Sequence, residues 1–130
     1  MLYYVPEPFI VLAEAARVLR ASGVFVACTS SRYNDPEFAE VIPGWGEPFS
    51  FDAETAMDVV AEQFSITEIL RWNKAVVWLP DVAAVRLFLR GRGLSETAAA
   101  SEAARRRCPL SVTKRGCLIW ARNEVRRNRS

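Results

Sequence analysis

The first thirty residues change from a helical to a strand-like spacing of apolar side chains. Pro8 suits the first turn of a helix, and apolar positions then recur three or four residues apart, at Phe9, Leu12, Ala13, Ala16 and Leu19. After Ser22-Gly23 comes an unbroken run rich in β-branched residues, at 24–29. Such a run is typical of a strand buried on both faces of a parallel sheet. The segment therefore predicts the second half of a βαβ unit, whose first strand would precede Met1.

The rest of the pattern predicts further helices and strands, so the fold class is α/β. Helices are expected over 53–64 with Asp52 as N-cap, from 82 to Gly91 or Gly93, and over 95–107. Residues 65–72 and 75–79 read as one bent strand or as a hairpin. Residues 110–114 and 117–122 are expected to form two strands around a tight turn at Arg115-Gly116.

Composition excludes several catalytic classes. Hydrophobic residues make up 51% of the 130 residues and charged residues 25%, which is ordinary for one packed domain. The sequence contains no histidine, which excludes histidine-based triads, H-E-x-x-H zinc sites and histidine general bases. Cys28, Cys108 and Cys117 form no C-x-x-C pair and suggest reduced thiols in a cytoplasmic protein. We see no signal peptide and no run of apolar residues long enough to span a membrane.

Charge divides the chain into an acidic and a basic part. Residues 1–90 carry 7 Lys and Arg against 12 Asp and Glu, and residues 91–130 carry 10 against 3. A basic end can face an anionic partner, but no aromatic residues interleave these arginines as they do in base-stacking surfaces. We therefore interpret the basic end as solvated, and we expect neither nucleic acid nor a membrane as a partner.

No motif in the sequence marks a phosphate loop or an activated nucleophile. Gly44-x-Gly46 and Gly91-x-Gly93 do not extend to G-x-G-x-x-G. Cys28 lies in the run expected to be a buried strand, which favours a core thiol. A reaction here would need little help from side-chain acids and bases. Transfer of a group from a strongly activated donor meets that condition, because positioning supplies much of its rate.

Aromatic residues are concentrated in segments that we expect to be loops, at Tyr3, Tyr4, Tyr33, Trp45, Phe49 and Phe51. In an open α/β sheet, ligands bind beyond the carboxyl ends of the strands. Loops after neighbouring strands would bring these rings to one ligand-binding mouth. The alternative is that they cover the edge of the sheet as ordinary core.

Several stretches in a fixed order resemble one family. Met1-Leu2-Tyr3-Tyr4-Val5-Pro6 is followed by Glu14-Ala15-Ala16-Arg17-Val18-Leu19-Arg20 and by Ser22-Gly23-Val24-Phe25-Val26. This order is similar to class I S-adenosylmethionine-dependent methyltransferases, in which M-L-Y-H-V-P-D leaves the fourth strand and a helix leads to the fifth. SRYNDPE at 31–37 and PLSVTKRG at 109–116 also resemble one branch of that family. The resemblance extends over nearly the whole chain, to about Arg122.

The resemblance implies a fold and a set of site residues. Residues 1–122 would be the C-terminal half of a partial Rossmann-like methyltransferase sheet flanked by helices, and 123–130 a flexible basic tail. The fifth strand would be parallel to its neighbour, and the last strands would pair antiparallel at the sheet edge. Met1, Leu2 and Tyr3 would lie near the methionine end of S-adenosylmethionine, while Tyr4, Arg32, Tyr33 and Asn34, together with Trp45, would face a small-molecule methyl acceptor.

Departures from the family pattern limit what the chain can do alone. The family binds its cofactor mainly with a glycine-rich turn and an acidic strand end from its first half, and this sequence contains neither. Tyr4 stands where the pattern often has histidine. We therefore expect a truncated domain that does not bind S-adenosylmethionine and is inactive alone, and we assign it no catalytic residue and no metal.

Two alternatives of other classes stay open. One is an oligomerising or binding module without catalysis, pairing with a second copy or another chain through the exposed edge of the half sheet. The other is salt-sensitive nucleic-acid binding by the arginine-rich end, the less favoured of the two.

Overall fold

In the part of this α/β protein that the structure describes, three strands form one sheet with flanking helices. A computed structural model describes residues 7–124. Their elements are, in chain order, α1 (Pro8–Val18), β1 (Gly23–Ser30), a short 3₁₀ helix (Pro36–Phe38), α2 (Ala56–Ala61), β2 (Ser65–Leu79), α3 (Val82–Gly91), α4 (Glu96–Arg105) and β3 (Leu110–Asn123). None of the helices in this part of the chain combines the length and the apolar character needed to cross a membrane.

The last strand of the chain lies in the middle of the sheet. The strand order is β1-β3-β2. β1 and β3 pair antiparallel, and their register is unbroken from Gly23 opposite Asn123 to Ser30 opposite Gly116. The last described strand, β3, is thus antiparallel to β1 and lies beside β2, whereas the parallel neighbour expected for β1 is not among the described strands.

The turn predicted at Arg115-Gly116 is wrong, because β3 continues through it. Gly116 is needed for another reason: a Cβ atom there would lie 2.6 Å from the carbonyl oxygen of Thr29 and 2.6 Å from the ring of Trp72. The glycine therefore allows close approach of neighbouring segments rather than a change of direction. Of the two forms expected for residues 65–79, the structure has one continuous strand, β2.

The prediction that β1 is buried on both faces is also wrong. Its side chains alternate, so that Ala27 and Thr29 are buried while Val24 and Val26 are 52% and 49% exposed. Cys28 is exposed as well, so it is not a core thiol. One face of β1 packs on the core, and no described element covers the other.

The helices begin where side chains can satisfy their first backbone N–H groups. The carboxylate of Asp81 accepts a hydrogen bond from Ala84 N at 2.8 Å, and the hydroxyl of Ser95 accepts one from Ala98 N at 3.1 Å. α2 is shorter than predicted and has Thr55 rather than Asp52 as its N-cap residue. Asp52 instead caps the preceding turn, where its carboxylate accepts from Thr55 N and Thr55 Oγ1.

The chain divides into two compact units with separate cores. Within the described residues, the first unit takes 7–32, 48–72 and 116–124, and the second takes 33–47 and 73–115. The buried residues of the first core are Leu12, Ala27, Phe51, Ala53, Ala56, Val60, Phe64, Cys117, Ile119 and Ala121. Those of the second core are Phe38, Ile42, Leu79, Val85, Leu89, Leu94, Ala99, Ala103 and Val112.

Candidate functional site

Arg32 follows the end of β1 and is held by a buried carboxylate of its own unit. Its Nε donates to Asp52 Oδ2 at 3.0 Å, and its terminal nitrogen Nη2 donates to Asp52 Oδ1 at 3.2 Å. The Asp52 side chain is fully buried, and the Arg32 side chain is 17% exposed. This two-point contact fixes the plane of the guanidinium group.

A second carboxylate closes the same network. Glu54 Oε1 accepts a hydrogen bond from Arg32 N at 3.0 Å, and its other oxygen accepts from the hydroxyl of Ser31. Arg32 Nε also lies 3.6 Å from Glu54. The predicted acceptor-binding guanidinium is therefore already paired with two carboxylates of this chain, which ties the segment after β1 to the turn before α2.

Hydrogen bonds control the ionisation of Asp52. Burial alone would raise the pKa of its carboxyl group, but hydrogen bonds from Arg32, Thr55 and Phe49 N outweigh burial and lower the pKa. Asp52 is therefore an anchored anion at neutral pH and not a proton acceptor.

In the second unit, two of the predicted aromatic residues meet. The rings of Tyr33 and Trp45 lie edge to face with 5.6 Å between their centroids. Trp45 Nε1 donates to the carbonyl oxygen of Asn34 at 2.7 Å. Gly46, at φ +84°, would place a Cβ atom 3.7 Å from the Tyr33 ring. The glycine-containing turn therefore lets the chain pass close behind the aromatic pair, and Tyr33 keeps 40% of its surface exposed.

Asn34 joins this pair through backbone contacts. Its side chain is buried, and its Oδ1 accepts from Arg115 N at 2.8 Å. Arg115 in turn donates from Nη1 to the carbonyl oxygen of Tyr33 at 3.2 Å. The structure thus brings Tyr33, Asn34 and Trp45 together, but the amide of Asn34 holds the loop on β3 instead of facing outward.

The remaining predicted site residues cannot be compared with the structure. Met1, Leu2 and Tyr3, expected near a cofactor, and Tyr4, expected near an acceptor, lie outside the described residues. Arg32 belongs to the first unit, and Tyr33, Asn34 and Trp45 belong to the second.

Two acidic residues beside this loop were not selected from the sequence. Asp35 is fully buried with a left-handed backbone (φ +61°), and its carboxylate pairs with Lys114 Nζ at 2.8 Å and Arg92 Nε at 2.6 Å. Glu37 accepts from Thr113 N at 2.9 Å and Thr113 Oγ1 at 2.6 Å. Burial alone would raise the pKa of Glu37, but these bonds outweigh burial and lower it. The partners lie more than fifty residues away in sequence, so no local signal identifies them.

The first unit also contains an apolar groove of about 370 Å³ beside β1. It is lined by Val11 and Leu12 of α1, by Phe51, and by residues 25–28 of β1. None of these side chains carries a charge. The groove can therefore hold an apolar side chain or strand, and none of its lining side chains offers a charge to a ligand.

The apolar groove beside β1 does not fit S-adenosylmethionine. The cofactor carries a sulfonium, an ammonium and a carboxylate group, and each needs a charged or hydrogen-bonding partner when it is bound. The apolar groove has none among its side chains, and no glycine-rich turn links a strand to a helix in residues 7–124. The same residues contain no cluster of side chains that could hold a metal ion.

Comparisons with known proteins support the fold of the chain, but not a substrate or a cofactor. No family model matches the chain, and no curated protein matches it in sequence. Its structure is similar to a solved structure from Bacillus halodurans C-125 named "putative methyltransferase", with a TM-score of 0.59 and 14% sequence identity. The match covers 95% of this chain and 66% of that one. The chain therefore has a methyltransferase-like fold and spans slightly less than two thirds of that protein.

Proposed function

We propose that this chain is the C-terminal, acceptor-side part of a class I methyltransferase domain. The structural match carries the proposal: almost all of this chain corresponds to only part of a methyltransferase-like protein. The sequence resemblance of residues 1–29 to the family's fourth strand, helix and fifth strand supports the same assignment. On this proposal residues 1–122 are one part of the domain, and 123–130 form a basic tail.

The chemistry of the described residues agrees with methyl transfer rather than acid–base catalysis. Asp35, Glu37, Asp52 and Glu54 are all engaged by cations or hydrogen-bond donors, and the sequence has no histidine. A methyl group on a sulfonium is already activated, so the protein needs chiefly to align donor and acceptor. In this proposal the exposed face of Tyr33, supported by Trp45, contacts a small-molecule acceptor.

S-adenosylmethionine would be the methyl donor of the whole domain. Met1, Leu2 and Tyr3 would contact its methionine end, while its charged groups and ribose would be held by residues outside this sequence. The chain alone therefore neither binds the cofactor nor transfers a methyl group. Its three free cysteines agree with our proposal that the protein works in the cytoplasm.

Titration calorimetry with S-adenosylmethionine tests this proposal in two forms of the protein. The 130-residue chain is expected to show no binding at ligand concentrations up to about 1 mM. A dissociation constant of that size already corresponds to weak binding. A longer chain that includes in-frame upstream sequence with a glycine-rich turn and an acidic strand end is expected to bind. Micromolar binding by the short chain, or no binding by the longer one, would contradict the proposal.

The runner-up function is an oligomerising module without catalysis. The observation in its favour is an apolar surface that the described residues of the first unit leave exposed on α1 and β1, where Ile10 and Val24 are 53% and 52% exposed.

A further inference from the structure

Arg115 of β3 is held against the loop that follows β1 by uncharged groups. Its Nε donates to Asn73 Oδ1 at 3.0 Å, and its Nη1 donates to the carbonyl oxygen of Tyr33 at 3.2 Å. Its backbone N–H donates to Oδ1 of the buried Asn34 at 2.8 Å. These four residues all belong to the second unit. The guanidinium group is therefore fixed in direction by two carbonyl oxygens and not by a carboxylate.

The charge of Arg115 distinguishes it from the other anchored arginines of its unit. Arg92 is paired with Asp35, and Arg106 is paired with Glu102. Arg115 takes part in none of the ion pairs that residues 7–124 form. A cation that is fixed in place but not neutralised can attract an anion from outside the chain.

One carboxylate of this chain feels the charge of Arg115 without pairing with it. Burial raises the pKa of Glu37, but hydrogen bonds from Thr113, together with the charge of Arg115, outweigh burial and lower the pKa. Both oxygens of Glu37 accept from Thr113, one from its N and the other from its Oγ1. Glu37 is therefore ionised at neutral pH, and it leaves the N–H groups of Arg115 to another acceptor.

The guanidinium group of Arg115 keeps donors for such an acceptor. An arginine side chain has five N–H groups, and Asn73 and Tyr33 take one each, from Nε and Nη1. No residue within 7–124 accepts a hydrogen bond from Nη2 of Arg115. One N–H from each terminal nitrogen can lie parallel and match the two oxygens of a carboxylate.

An aromatic surface belongs to the same loop. The ring of Tyr33 is 40% exposed and lies edge to face against Trp45, with 5.6 Å between the centroids. Trp45 is fixed by its Nε1, which donates to the carbonyl oxygen of Asn34. The residue that holds the guanidinium group through its carbonyl oxygen thus presents a supported ring, on which a planar ligand can pack.

We propose that the methyl acceptor is a small aromatic acid, whose carboxylate pairs with Arg115 and whose ring packs on Tyr33. The inference rests on the proposed function, because it names the acceptor class of that site. Arg32 does not take this role, since its guanidinium group is already paired with carboxylates of this chain. An aromatic acid is ionised at neutral pH, so it can bind to a cation without giving a proton to a side chain.

Titration of the 130-residue chain followed by nuclear magnetic resonance tests the need for an anion. The probes are 4-hydroxybenzoate and indole-3-acetate, and their neutral counterparts are 4-hydroxybenzamide and indole-3-acetamide. We expect dissociation constants of about 1 mM for the two carboxylates, the order for ligands of this size, and at least tenfold weaker binding of the amides. Equal binding of carboxylates and amides overturns the proposal, as does no binding of either carboxylate at about 10 mM.

Side-chain N–H signals show where the probes bind. The Nε–H of Arg115 and the Nε1–H of Trp45 are both hydrogen-bonded, and Arg115→Gln and Trp45→Phe assign their signals. Both signals should shift with the carboxylates. The indole signal of Trp78, which is 62% exposed and lies about 16 Å along β2 from Asn73, should not. Shifts at Trp78 without shifts at Trp45 overturn the proposal.

Matched variants test the contribution of the guanidinium group. Arg115→Gln should bind the carboxylates at least tenfold more weakly and change the binding of the amides less than twofold. Arg115→Lys keeps the charge without the paired donors, so its affinity should fall between those of wild type and Arg115→Gln. Arg86→Gln removes an exposed arginine of α3 that forms no ion pair within 7–124, and we expect less than a twofold effect.

Circular dichroism and urea unfolding check that each variant is folded, and the comparison of carboxylates with amides on wild type does not depend on any variant. Equal effects of Arg115→Gln and Arg86→Gln on carboxylate binding overturn the proposal.

Failure of this inference can be distinguished from failure of the proposed function. The probe titration contains no S-adenosylmethionine, and the cofactor calorimetry contains no aromatic acid. Cofactor binding by the longer chain without carboxylate binding here would remove this inference and leave the methyltransferase proposal. The reverse result would leave an anion site at Arg115 and remove the methyltransferase proposal.

Discussion

Asp52 shows how a residue can be assigned a correct local role while its main partner is missed. The sequence predicts Asp52 as a cap, and its carboxylate does accept the N–H of Thr55, three residues later. Its strongest partner, however, is Arg32, twenty residues earlier. The sequence selects Arg32 as an acceptor-binding residue, but nothing local shows that its charge is already neutralised by Asp52 and Glu54. Asp35 and Glu37 were missed for the same reason.

Asp52→Asn should destabilise the protein in a pH-dependent way. Removing the charge of the buried partner leaves Arg32 with only its longer contact to Glu54, so the free energy of unfolding at pH 7 should fall by about 3 kcal/mol. The lowered pKa of Asp52 in the folded state means that its stabilisation is present above the unfolded-state pKa. It is lost as the pH falls through the folded-state pKa.

Urea unfolding from pH 7 down to pH 2 measures this prediction. The difference in the free energy of unfolding between wild type and Asp52→Asn should become smaller below about pH 4, where carboxylates become protonated even in unfolded chains. Glu14→Gln, which removes an exposed ion pair with Arg17, is the control and should have little effect. A difference that stays constant with pH would contradict the role of the ionised carboxylate.

β3 shows where local patterns mislead about an entire element. An arginine-glycine pair between two apolar runs resembles a hairpin turn, but the strand runs on from Leu110 to Asn123. The glycine is required by segments far away in sequence, Thr29 and Trp72. β1 misleads in a similar way: an unbroken run of apolar residues predicts burial on both faces, although residues 7–124 cover only one of them.

Gly116→Ala should destabilise the protein, because its Cβ would lie 2.6 Å from both Thr29 O and the Trp72 ring. The expected loss in the free energy of unfolding is about 1 to 3 kcal/mol, as for other overpacking substitutions. Gly91→Ala is the matched control. Nothing lies within 4 Å of that Cβ, and alanine in a helix should leave stability unchanged or raise it by up to about 1 kcal/mol. Chemical denaturation measures both, and equal behaviour of the two variants would contradict the close approach at Gly116.

The molecule has two cores, and two strands contribute to both of them. Val112 of β3 belongs to the second core, and Ile119 of the same strand belongs to the first. Likewise, Leu79 of β2 is in the second core and Ile69 packs against the first. If either core unfolds, β2 and β3 lose part of their packing. The other core contains residues of the same two strands and is therefore destabilised as well.

We expect a single cooperative unfolding transition for this reason. Val60→Ala and Val85→Ala each truncate a fully buried valine, one in each core. Each should lower the free energy of unfolding by about 2 kcal/mol and shift the whole transition. Coincident curves from far-UV circular dichroism and tryptophan fluorescence would support this. A variant that moves only one of two separate transitions would contradict it.

Most helices and strands could be predicted from the sequence because they depend on nearby residues. Histidine-based catalysis could be excluded because it depends on composition. The caps Asp81 and Ser95 act three residues away, and the lack of histidine is a property of composition alone. The pairing of β1 with β3, the anchoring of Arg32 and Asn34, and the uncovered face of β1 were not predictable in this way. These features depend on residues that lie twenty to a hundred positions apart in the sequence. Packing and charge neutralisation bring such residues together during folding, and neither produces a periodic pattern in the sequence.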